Sequence, residues 1–238
     1  MTIDAANIQF QTLNEQIRRA PEDVVLENCC GQRFIASGLK GKSITINGTP
    51  GNALGAYLDG ADIVVRGNAQ DATGDTMNSG EIVIHGSTGD AAGYAMRGGA
   101  IYVRDNAGYR AGIHMKAYKE KLPVMVIGGR CGSFLGEYQA GGIIIVLGIG
   151  CEGDVVSRFC GTGMHGGKIY LRCRKIGVRL PKQVEVREAD SADISEIRTY
   201  LDRYCELFGT EAGALFDRPF YVLTPNTKNP YKQLYVQN

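Results

Sequence analysis

The side chains that could carry chemistry are few, and their spacing argues against a shared site. The chain has three histidines, His85, His114 and His165, and three imidazoles with one open position would suffice for a catalytic zinc ion. Counted from the nearest apolar stretch, these histidines fall at three different phases, so a regular coil would place them at different corners. The pattern favours solvated or packed histidines, and we assign no metal ligand and no catalytic residue.

The seven cysteines form no Cys-x-x-Cys pair of the kind that indicates structural zinc or a redox motif. The amino terminus has no pattern of an export signal, so reduced thiols are expected. Cys131 and Cys151 each stand seven residues after the start of an apolar stretch. Two interpretations stay open for them, a redox-labile pair on adjacent coils and a pair of buried, inert thiols.

Three glycine-rich stretches resemble phosphate-binding loops. Residues 36–43, ASGLKGKS, come within one residue of GxxxxGK[ST], but a strand-like stretch follows where that loop needs a helix N-terminus. The pattern GxGxxG occurs at 148–153 and 161–166. The first copy follows an apolar run, yet neither a helix nor an acidic residue near twenty positions on comes after it. We predict no nucleotide site and no cofactor in this chain.

Charge and hydropathy exclude several classes of partner. The chain has 26 Lys and Arg against 25 Asp and Glu, so no overall field favours nucleic acid or an anionic membrane. No apolar run approaches the eighteen or so residues that a membrane span needs. We expect a cytoplasmic protein without nucleic-acid or membrane partners.

Apolar-x-apolar triplets recur along the chain and define a repeat of about nineteen residues. A period of this length is typical of a stacked array. The triplets begin at Val24, Ile44, Ile63, Ile82, Ile101, Val124, Ile144 and Ile169. Both apolar residues of each triplet, such as Val124 and Val126, are predicted to point inward. Each unit joins a short alternating strand to a turn region that has no helical periodicity.

Glycines keep the same phase as the strands. Gly55, Gly74, Gly93 and Gly112 each stand eleven residues after a strand start. Such columns mark corners where φ is positive or where a neighbouring coil lies too close for a Cβ. A doubly wound α/β fold is excluded because its crossovers need ten or more helical residues. We predict a mainly β fold, a parallel β-helix of about 7–8 coils.

Helices are predicted on either side of the array. Residues 12–15, TLNE, have a capping-box pattern and predict a short helix that ends before Pro21. Residues 193–196, DISE, predict a second helix, which would cover an open end of the array before an extended tail. The predicted boundaries are 1–22 for the N-terminal segment with its helix, 23–182 for the β-helix domain, and 183–238 for the C-terminal helix and tail.

One outward column begins polar and basic and then becomes apolar. It contains Glu27, Asn47, Arg66, His85, Arg104, Ile127, Leu147 and Arg172. Unit charges 4.8 Å apart in water repel by about 0.9 kcal/mol, which a solvated surface tolerates. Arg66, His85 and Arg104 are therefore either a solvated stripe or a dock for an acidic partner, and we mark them as possible partner-docking residues.

Two strands near the end of the array are apolar on both faces, VMVIGG (124–129) and GIIIVLGIG (142–150). Such strands need a cover on their outer face as well. The cover is the C-terminal helix or another chain, and we hypothesise that a partner covers at least part of it.

The turns of the repeat resemble those of a known family. GNALG (51–55), GDAAG (89–93) and GYRAG (108–112), stacked at about nineteen residues, are similar to the GXGXG domain. That domain is the right-handed β-helix that ends the large subunit of glutamate synthase, and it also occurs as a separate subunit of formylmethanofuran dehydrogenase. The resemblance covers roughly residues 20–180, and it implies a right-handed coil. NTKNPYKQLY, near the C-terminus, is similar to the separate single-domain form found in split glutamate synthases.

The resemblance implies a non-catalytic assembly subunit of a glutamate synthase-like complex in glutamate biosynthesis. In that family the β-helix holds a glutaminase and an FMN synthase domain in place while ammonia passes to 2-oxoglutarate. The partners would be glutaminase and FMN synthase-domain subunits, and these would carry the FMN and the iron–sulfur cluster. Two alternatives stay open: an assembly subunit like the GXGXG subunit of formylmethanofuran dehydrogenase, and a free-standing solenoid enzyme or binding protein. Self-association as a homo-oligomer is also left open.

Overall fold

The structure is a computed structural model that describes residues 1–226. Eleven strands form one mostly parallel sheet and coil into a β-solenoid of about 8 turns, accompanied by two α-helices. The fold class predicted from the repeat is confirmed. The predicted extended tail begins as a strand, and its remainder, residues 227–238, lies outside the described residues.

The strands follow one another around the coil, and the last two close the sheet. Its order is β1 to β9 in sequence, then β11 and β10. The strands are β1 (Thr2–Asp4), β2 (Val24–Cys30), β3 (Ser43–Thr49), β4 (Asp59–Arg66), β5 (Ser79–Ile84), β6 (Gly99–Val103), β7 (Pro123–Ile127), β8 (Ala140–Val146), β9 (Gly166–Arg172), β10 (Val184–Glu188) and β11 (Phe220–Pro225). The helices are α1 (Phe10–Arg19), α2 (Ser191–Phe208) and a short 3-10 helix (Ala212–Phe216).

Parallel pairing stacks like residues on like and builds the core. Ile63 of β4 lies opposite Ile82 of β5, which lies opposite Ile101 of β6. All three side chains are fully buried. Strands in such a ladder are about 4.8 Å apart, so the branched side chains contact their neighbours above and below. This continuous aliphatic column is the main reason that short strands are stable here.

The predicted register of β7 is wrong by one residue. Ile101 pairs with Met125, and Val103 pairs with Ile127. Met125 and Ile127 therefore belong to the inner core, whereas Val124 and Val126 face outward. A slip of one residue moves every side chain of a strand to the other face. The alternation could not fix the register, because all five residues of β7 are buried.

The turn regions use a backbone pattern that the sequence only partly reveals. Each contains three residues with positive φ at alternate positions: Ala53, Gly55 and Tyr57 in one coil, with φ of 61, 64 and 58°. The other triplets are Phe34, Ala36 and Gly38; Ala72, Gly74 and Thr76; Ala91, Gly93 and Ala95; Arg110, Gly112 and His114; Phe134, Gly136 and Tyr138; and Phe159, Gly161 and Gly163. These turns recur once per coil.

The central member of a triplet is under the tightest restriction. A Cβ on Gly74 would lie 2.4 Å from Cδ1 of Ile101, so a side chain there would enter the occupied core. The backbone also links coils in both directions. The N–H of Gly55 donates to Ile35 O of the preceding coil, and that of Ala53 donates to Asp71 O of the next. The turn face is therefore hydrogen-bonded to its neighbours without being a β-strand.

Helix α1 closes the first coil. Leu13 and Ile17 are fully buried in the solenoid core, and the Asn14 side chain accepts the backbone N–H of Ala36. The helix begins at Phe10 with no side-chain cap, so the capping box predicted at residues 12–15 is wrong. The apolar face of α1, with Leu13 and Ile17, packs into the solenoid core, and this packing stabilises the helix in the absence of a side-chain cap.

Helix α2 begins at Ser191, two residues before the predicted start. Asp190 accepts the N–H groups of Ala192 and Asp193, while Asp193 accepts the N–H of Asp190. This is a capping box with Asp in place of Glu. The Arg187 guanidinium pairs with Asp193 and holds the pKa of that carboxyl below its usual value.

Helix α2 lies along the sheet, so the prediction that it covers an open end of the array is wrong. Helix α2, the 3-10 helix and β11 together cover the outer faces of β6 to β9. The covered side chains include Tyr102, Val124, Val126, Ile143, Ile145, Leu147 and Tyr170, each at most 3% exposed. Of the two covers predicted for residues 124–129 and 142–150, the C-terminal helix is the one observed. Ile149 is left 39% exposed, and the hypothesis that a partner covers part of this face stays a prediction. The open end is instead packed by residues 176–184.

Candidate docking surfaces

The structure brings the three predicted docking residues into one column. Asn47 pairs with Arg66 across β3 and β4, and the N–H groups of His85 and Arg104 donate to Val65 O and Ile84 O of the preceding strands. Arg66 and Arg104 are exposed, and His85 is half-buried. We call Arg66, His85 and Arg104 the basic stripe.

The later members of that predicted outward column do not extend the stripe. Ile127 points into the core, Leu147 lies beneath the cover, and Arg172 is buried. The Arg172 guanidinium donates to Leu147 O at 2.6 Å and Leu215 O at 2.8 Å, so it binds the 3-10 helix to the last coil. The basic stripe therefore ends where the cover begins.

The basic stripe borders the C-terminal end of α2. The His85 ring contacts Phe208 edge-on, with centroids 5.2 Å apart. Burial lowers the pKa of His85, and the charges of Arg66 and Arg104 lower it further. Arg104 is paired with Asp105 through two bonds of 3.0 Å. At neutral pH the basic stripe thus contains Arg66, which has no carboxylate within ion-pair distance among residues 1–226. It also contains the neutral imidazole of His85, and Arg104, whose charge is balanced by Asp105.

A second surface, which we call the aromatic patch, carries no signal among the strand columns of the sequence. It consists of Tyr94, Arg110, His114, Phe134, Tyr138 and Phe159 on the turn faces of four successive coils. The His114 ring lies 5.9 Å from Tyr94, edge-on, and 5.2 Å from Tyr138, stacked. Phe134 and Phe159 stack at 4.8 Å. The patch therefore consists of two rows of contacting rings on the same turn faces, Tyr94–His114–Tyr138 and Phe134–Phe159.

Arg110 extends the row of Phe134 and Phe159 by one coil. Its guanidinium lies 4.8 Å from the centre of the Phe134 ring, and its Nε donates to Glu137 at 3.1 Å. Five of the six patch residues occupy positive-φ positions that flank the central glycine of a turn. Of the three positive-φ residues in such a turn, the central glycine faces the core and the two flanking residues project outward. A sequence signal exists on the turns, since Phe134 and Phe159 both stand two residues before such a glycine.

The patch continues into a groove at the C-terminal end of the rod. The groove has a volume of about 600 Å³. Its lining consists of Arg158, Phe159, Thr162, Gly177, Val178, Arg179, Leu180 and Pro181. Phe159, half-exposed at 51%, belongs to both the patch and the groove. One apolar surface with arginines at its rim therefore runs along the turn face and around the end.

Metal-binding clusters are absent from residues 1–226. No group of three or more His, Cys, Asp and Glu side chains in that range could hold a metal ion. Cys131 lies beside Ala107 and Val156 in its ladder, not beside Cys151 as the sequence spacing suggested. Burial raises the pKa of the Cys131 thiol and raises that of Cys160 to about 12. All seven thiols are unpaired, and these two favour the interpretation of inert, buried cysteines.

Neither helix in the described part of the chain has the length and apolar character that crossing a membrane requires.

Comparisons with known proteins show a family, a relative and a shared fold. The sequence profile of a family described as "GXGXG motif" matches residues 6–220. The chain is similar to the uncharacterized protein MJ1350 of Methanocaldococcus jannaschii, with 44% identity over 99% of this chain and 96% of that protein. It is also similar to a chain in the X-ray structure of the formyltransferase/hydrolase complex (FhcABCD) from Methylorubrum extorquens in complex with methylofuran. That match has 20% identity, a TM-score of 0.66, and coverage of 92% of this chain and 89% of that one, and at this identity it shows the fold alone.

Proposed function

Because the chain belongs to the GXGXG motif family, we propose that it is a non-catalytic assembly subunit of a multi-subunit enzyme complex. The observation that carries the proposal is the arrangement of its polar side chains, which rise in columns along a rod. Catalysis by a bound metal needs ligands that converge in one site, and no group of three or more His, Cys, Asp and Glu side chains in residues 1–226 could hold a metal ion. Rigid columns with exposed arginines and aromatic rings suit the binding of other proteins.

The first candidate is a complex of the formyl-transferring kind, with this chain in the role of the GXGXG subunit of a formylmethanofuran dehydrogenase. The support is the similar fold of a chain in the formyltransferase/hydrolase complex, which matches nearly all of both chains. The second candidate is a glutamate synthase-like complex with glutaminase and FMN synthase partners. Its support is narrower, since turns such as GNALG and GYRAG resemble both families and the tail sequence NTKNPYKQLY resembles the split glutamate synthases in particular.

The basic stripe is proposed as one of the docking sites for such partners. Reversing two charges in Arg66→Glu with Arg104→Glu should leave the melting temperature close to that of the wild type, since both side chains are exposed. Subunit association should weaken, most at low salt. Unchanged association at low salt would remove the stripe from the proposal.

The boundaries at residues 22 and 182 and a cytoplasmic location also remain part of the proposal. Seven unpaired thiols are in keeping with a reducing compartment.

Purification of the native complex from source cells tests the function directly. We expect this chain to elute with larger partners at a fixed stoichiometry, and mass spectrometry of those partners separates the two candidates. Flavin, iron and turnover should belong to the partners, as absorption spectra and metal analysis of the separated subunits would reveal. Turnover by the purified chain alone would overturn the proposal and favour a free-standing enzyme.

A further inference from the structure

We propose that the aromatic patch and the adjoining groove bind an extended, acidic segment of a partner subunit that inserts apolar side chains between the arginines. The inference rests on the proposed function and names the surface and the chemistry of one partner contact. The surface is distinct from the basic stripe, which lies on the β-strand face next to α2.

The apolar part of the surface is larger than a solvated rod requires. Tyr94 is 40% exposed and Phe159 is 51% exposed, and they lie in the first and the last of the four coils that carry the aromatic patch. Isolated exposed apolar residues are normal, but contiguous ones indicate an interaction site. Tyr, Phe and Arg are also the residue types enriched at the centres of protein interfaces. The groove beyond Phe159 adds Val178, Leu180 and Pro181 as walls for an inserted side chain.

The charges around the surface select an acidic partner. Arg158 and Arg179 line the groove, and neither has a carboxylate within ion-pair distance among residues 1–226. Glu137 is the carboxylate on the patch, but it is only 12% exposed and already accepts a hydrogen bond from Arg110. The charges of Arg158 and Arg179 are therefore unmatched. A planar guanidinium next to an apolar surface is best matched by a carboxylate.

The same features argue against two other occupants. Single-stranded nucleic acid binds by stacking bases on free ring faces, but Phe134 stacks on Phe159 and His114 stacks on Tyr138. The net charge of +1 also provides no general attraction for a polyanion. A second copy docked through this same surface would place two pairs of arginines, Arg158 and Arg179 of each copy, in one interface, and the patch carboxylate Glu137 is already bound to Arg110.

The dimensions indicate a short extended segment. The patch crosses four coils, and three steps of about 4.8 Å span roughly 14 Å, the length of about four extended residues. Alternate side chains of such a segment would face the rings, while the others would reach the arginines at the rim.

A labelled peptide provides the test. The probe is a twelve-residue fluorescent peptide in which Glu alternates with Leu and Phe, titrated with the full chain at low salt and followed by anisotropy. We expect saturable binding about tenfold tighter than that of the same peptide with Gln for Glu, and a loss of this preference in high salt. Equal affinity for the two peptides would overturn the proposal.

Two variants locate the binding. Phe159→Ala should weaken binding about tenfold by removing a central anchor. The variant should still fold, because Ala53, Ala72 and Ala91 occupy the equivalent positive-φ position in other coils. Arg158→Glu with Arg179→Glu should reduce binding of the acidic peptide by a similar factor and leave the Gln peptide unaffected. Arg18→Glu with Arg19→Glu, two exposed residues of α1, is the matched control, since it changes the net charge equally at the first coil, away from both proposed docking surfaces, and should not alter binding.

The remaining outcomes assign the surface to something else. Tighter binding of a twelve-nucleotide oligothymidine than of the acidic peptide would assign it to nucleic acid. A gain in peptide affinity after deletion of residues 227–238 would assign it to that segment of the same chain. A dimer in light scattering that Phe159→Ala dissociates would assign it to a second copy. Each result would overturn this inference while a native complex of fixed stoichiometry still supported the proposed function, so the two failures are distinguishable.

Discussion

The two halves of the sheet have the same interior and opposite exteriors. In β2 to β4 the outward residues Val25, Thr45 and Val64 are half-exposed. In β6 to β9 the outward residues are almost fully buried beneath α2. The inner apolar column runs through both halves, with Met125 of β7 between Ile101 and Ile144. Inner columns therefore specify the coil, and outer columns specify what lies against it.

The boundary between the halves falls at β5. Arg203 of α2 donates to Glu81 of β5 at 2.7 and 3.2 Å, and Phe208 at the end of the helix contacts His85. At the other end of α2, Glu196 accepts from Tyr170 and Lys168 of β9. The helix therefore crosses the strands from β9 to β5, and polar pairs mark where its apolar contact begins and ends.

The largest effect should come from a defect in the shared interior, which ought to be the same in both halves. Gly74→Val, at a turn of the bare half, and Gly136→Val, in the covered half, should each destabilise the protein by about 3–5 kcal/mol. Both have positive φ, and their Cβ atoms would lie 2.4 and 2.7 Å from an isoleucine Cδ1. Urea unfolding measures the loss.

A matched variant separates strain from collision in that experiment. Gly38 has φ of +65° with no atom within 4 Å of a built Cβ, so Gly38→Val carries the backbone strain alone, about 1–3 kcal/mol. A loss at Gly74 no greater than the loss at Gly38 would contradict the steric account of the turn.

The next largest effect should distinguish the halves. Leu201→Ala removes a fully buried side chain between α2 and the sheet and should cost about 2–4 kcal/mol in the free energy of unfolding. Val64→Ala, on the bare face of β4, should cost less than about 1 kcal/mol because that side chain is only half-buried. Binding of a hydrophobic dye should rise only for Leu201→Ala. Similar costs at the two positions would mean that the halves are not energetically distinct.

A smaller effect is expected at the boundary. Arg203→Ala removes the ion pair with Glu81, whose side chains are 43% and 24% exposed, and should cost about 0.5–1 kcal/mol. A double-mutant cycle with Glu81→Gln isolates the pair, and its coupling should decrease in high salt. The exposed pair of Arg198 and Asp202 within α2 serves as the control, and an equal coupling there would remove any special role for β5.

The sequence predicted the inward-facing residues of the strands better than the contacts of their outward-facing residues. The nineteen-residue period located the inner columns and the phase of the turn glycines. The one-residue error at β7 arose because Val124 to Ile127 are apolar on both faces and the preceding loop, with its bridge between Tyr118 and Lys121, lengthens the coil. The apolar face of α2 was recognised, and the helix was named as one of two possible covers for β7 and β8. The choice between α2 and another chain stayed open, because periodicity does not state which surface a helix meets.

The candidate surfaces were found unequally for a related reason. The basic stripe follows strand residues, so aligning the strands revealed Arg66, His85 and Arg104 together. The aromatic patch lies on the turns, where Phe134 and Phe159 are separated by a longer coil and only the shared left-handed backbone places them in one row.

The smallest effect is a dependence of stability on pH at the basic stripe. The folded state lowers the pKa of His85, so the unfolded chain takes up the proton first as pH falls below about 6.5. His85 should therefore lower the free energy of unfolding as pH decreases from about 7 toward the lowered pKa. Above about pH 7 it should have no effect on stability. His85→Gln should flatten that part of the stability curve measured by urea unfolding at several pH values. His114→Gln controls for loss of a histidine elsewhere, and an unchanged slope in His85→Gln would contradict the assignment.

The stacked coils also limit how the distance between two bound partners can change. Every coil is hydrogen-bonded to the one above and the one below on both the strand and the turn faces, so a partial coil has no place in the stack. Loop residues such as those around Tyr118 and Lys121 lengthen one coil without lengthening the stack. A change in the length of the stack must come as a whole repeat, each adding or removing about 4.8 Å. A subunit of this design works as a graduated spacer, whose length evolves by duplicated units and not by gradual stretching.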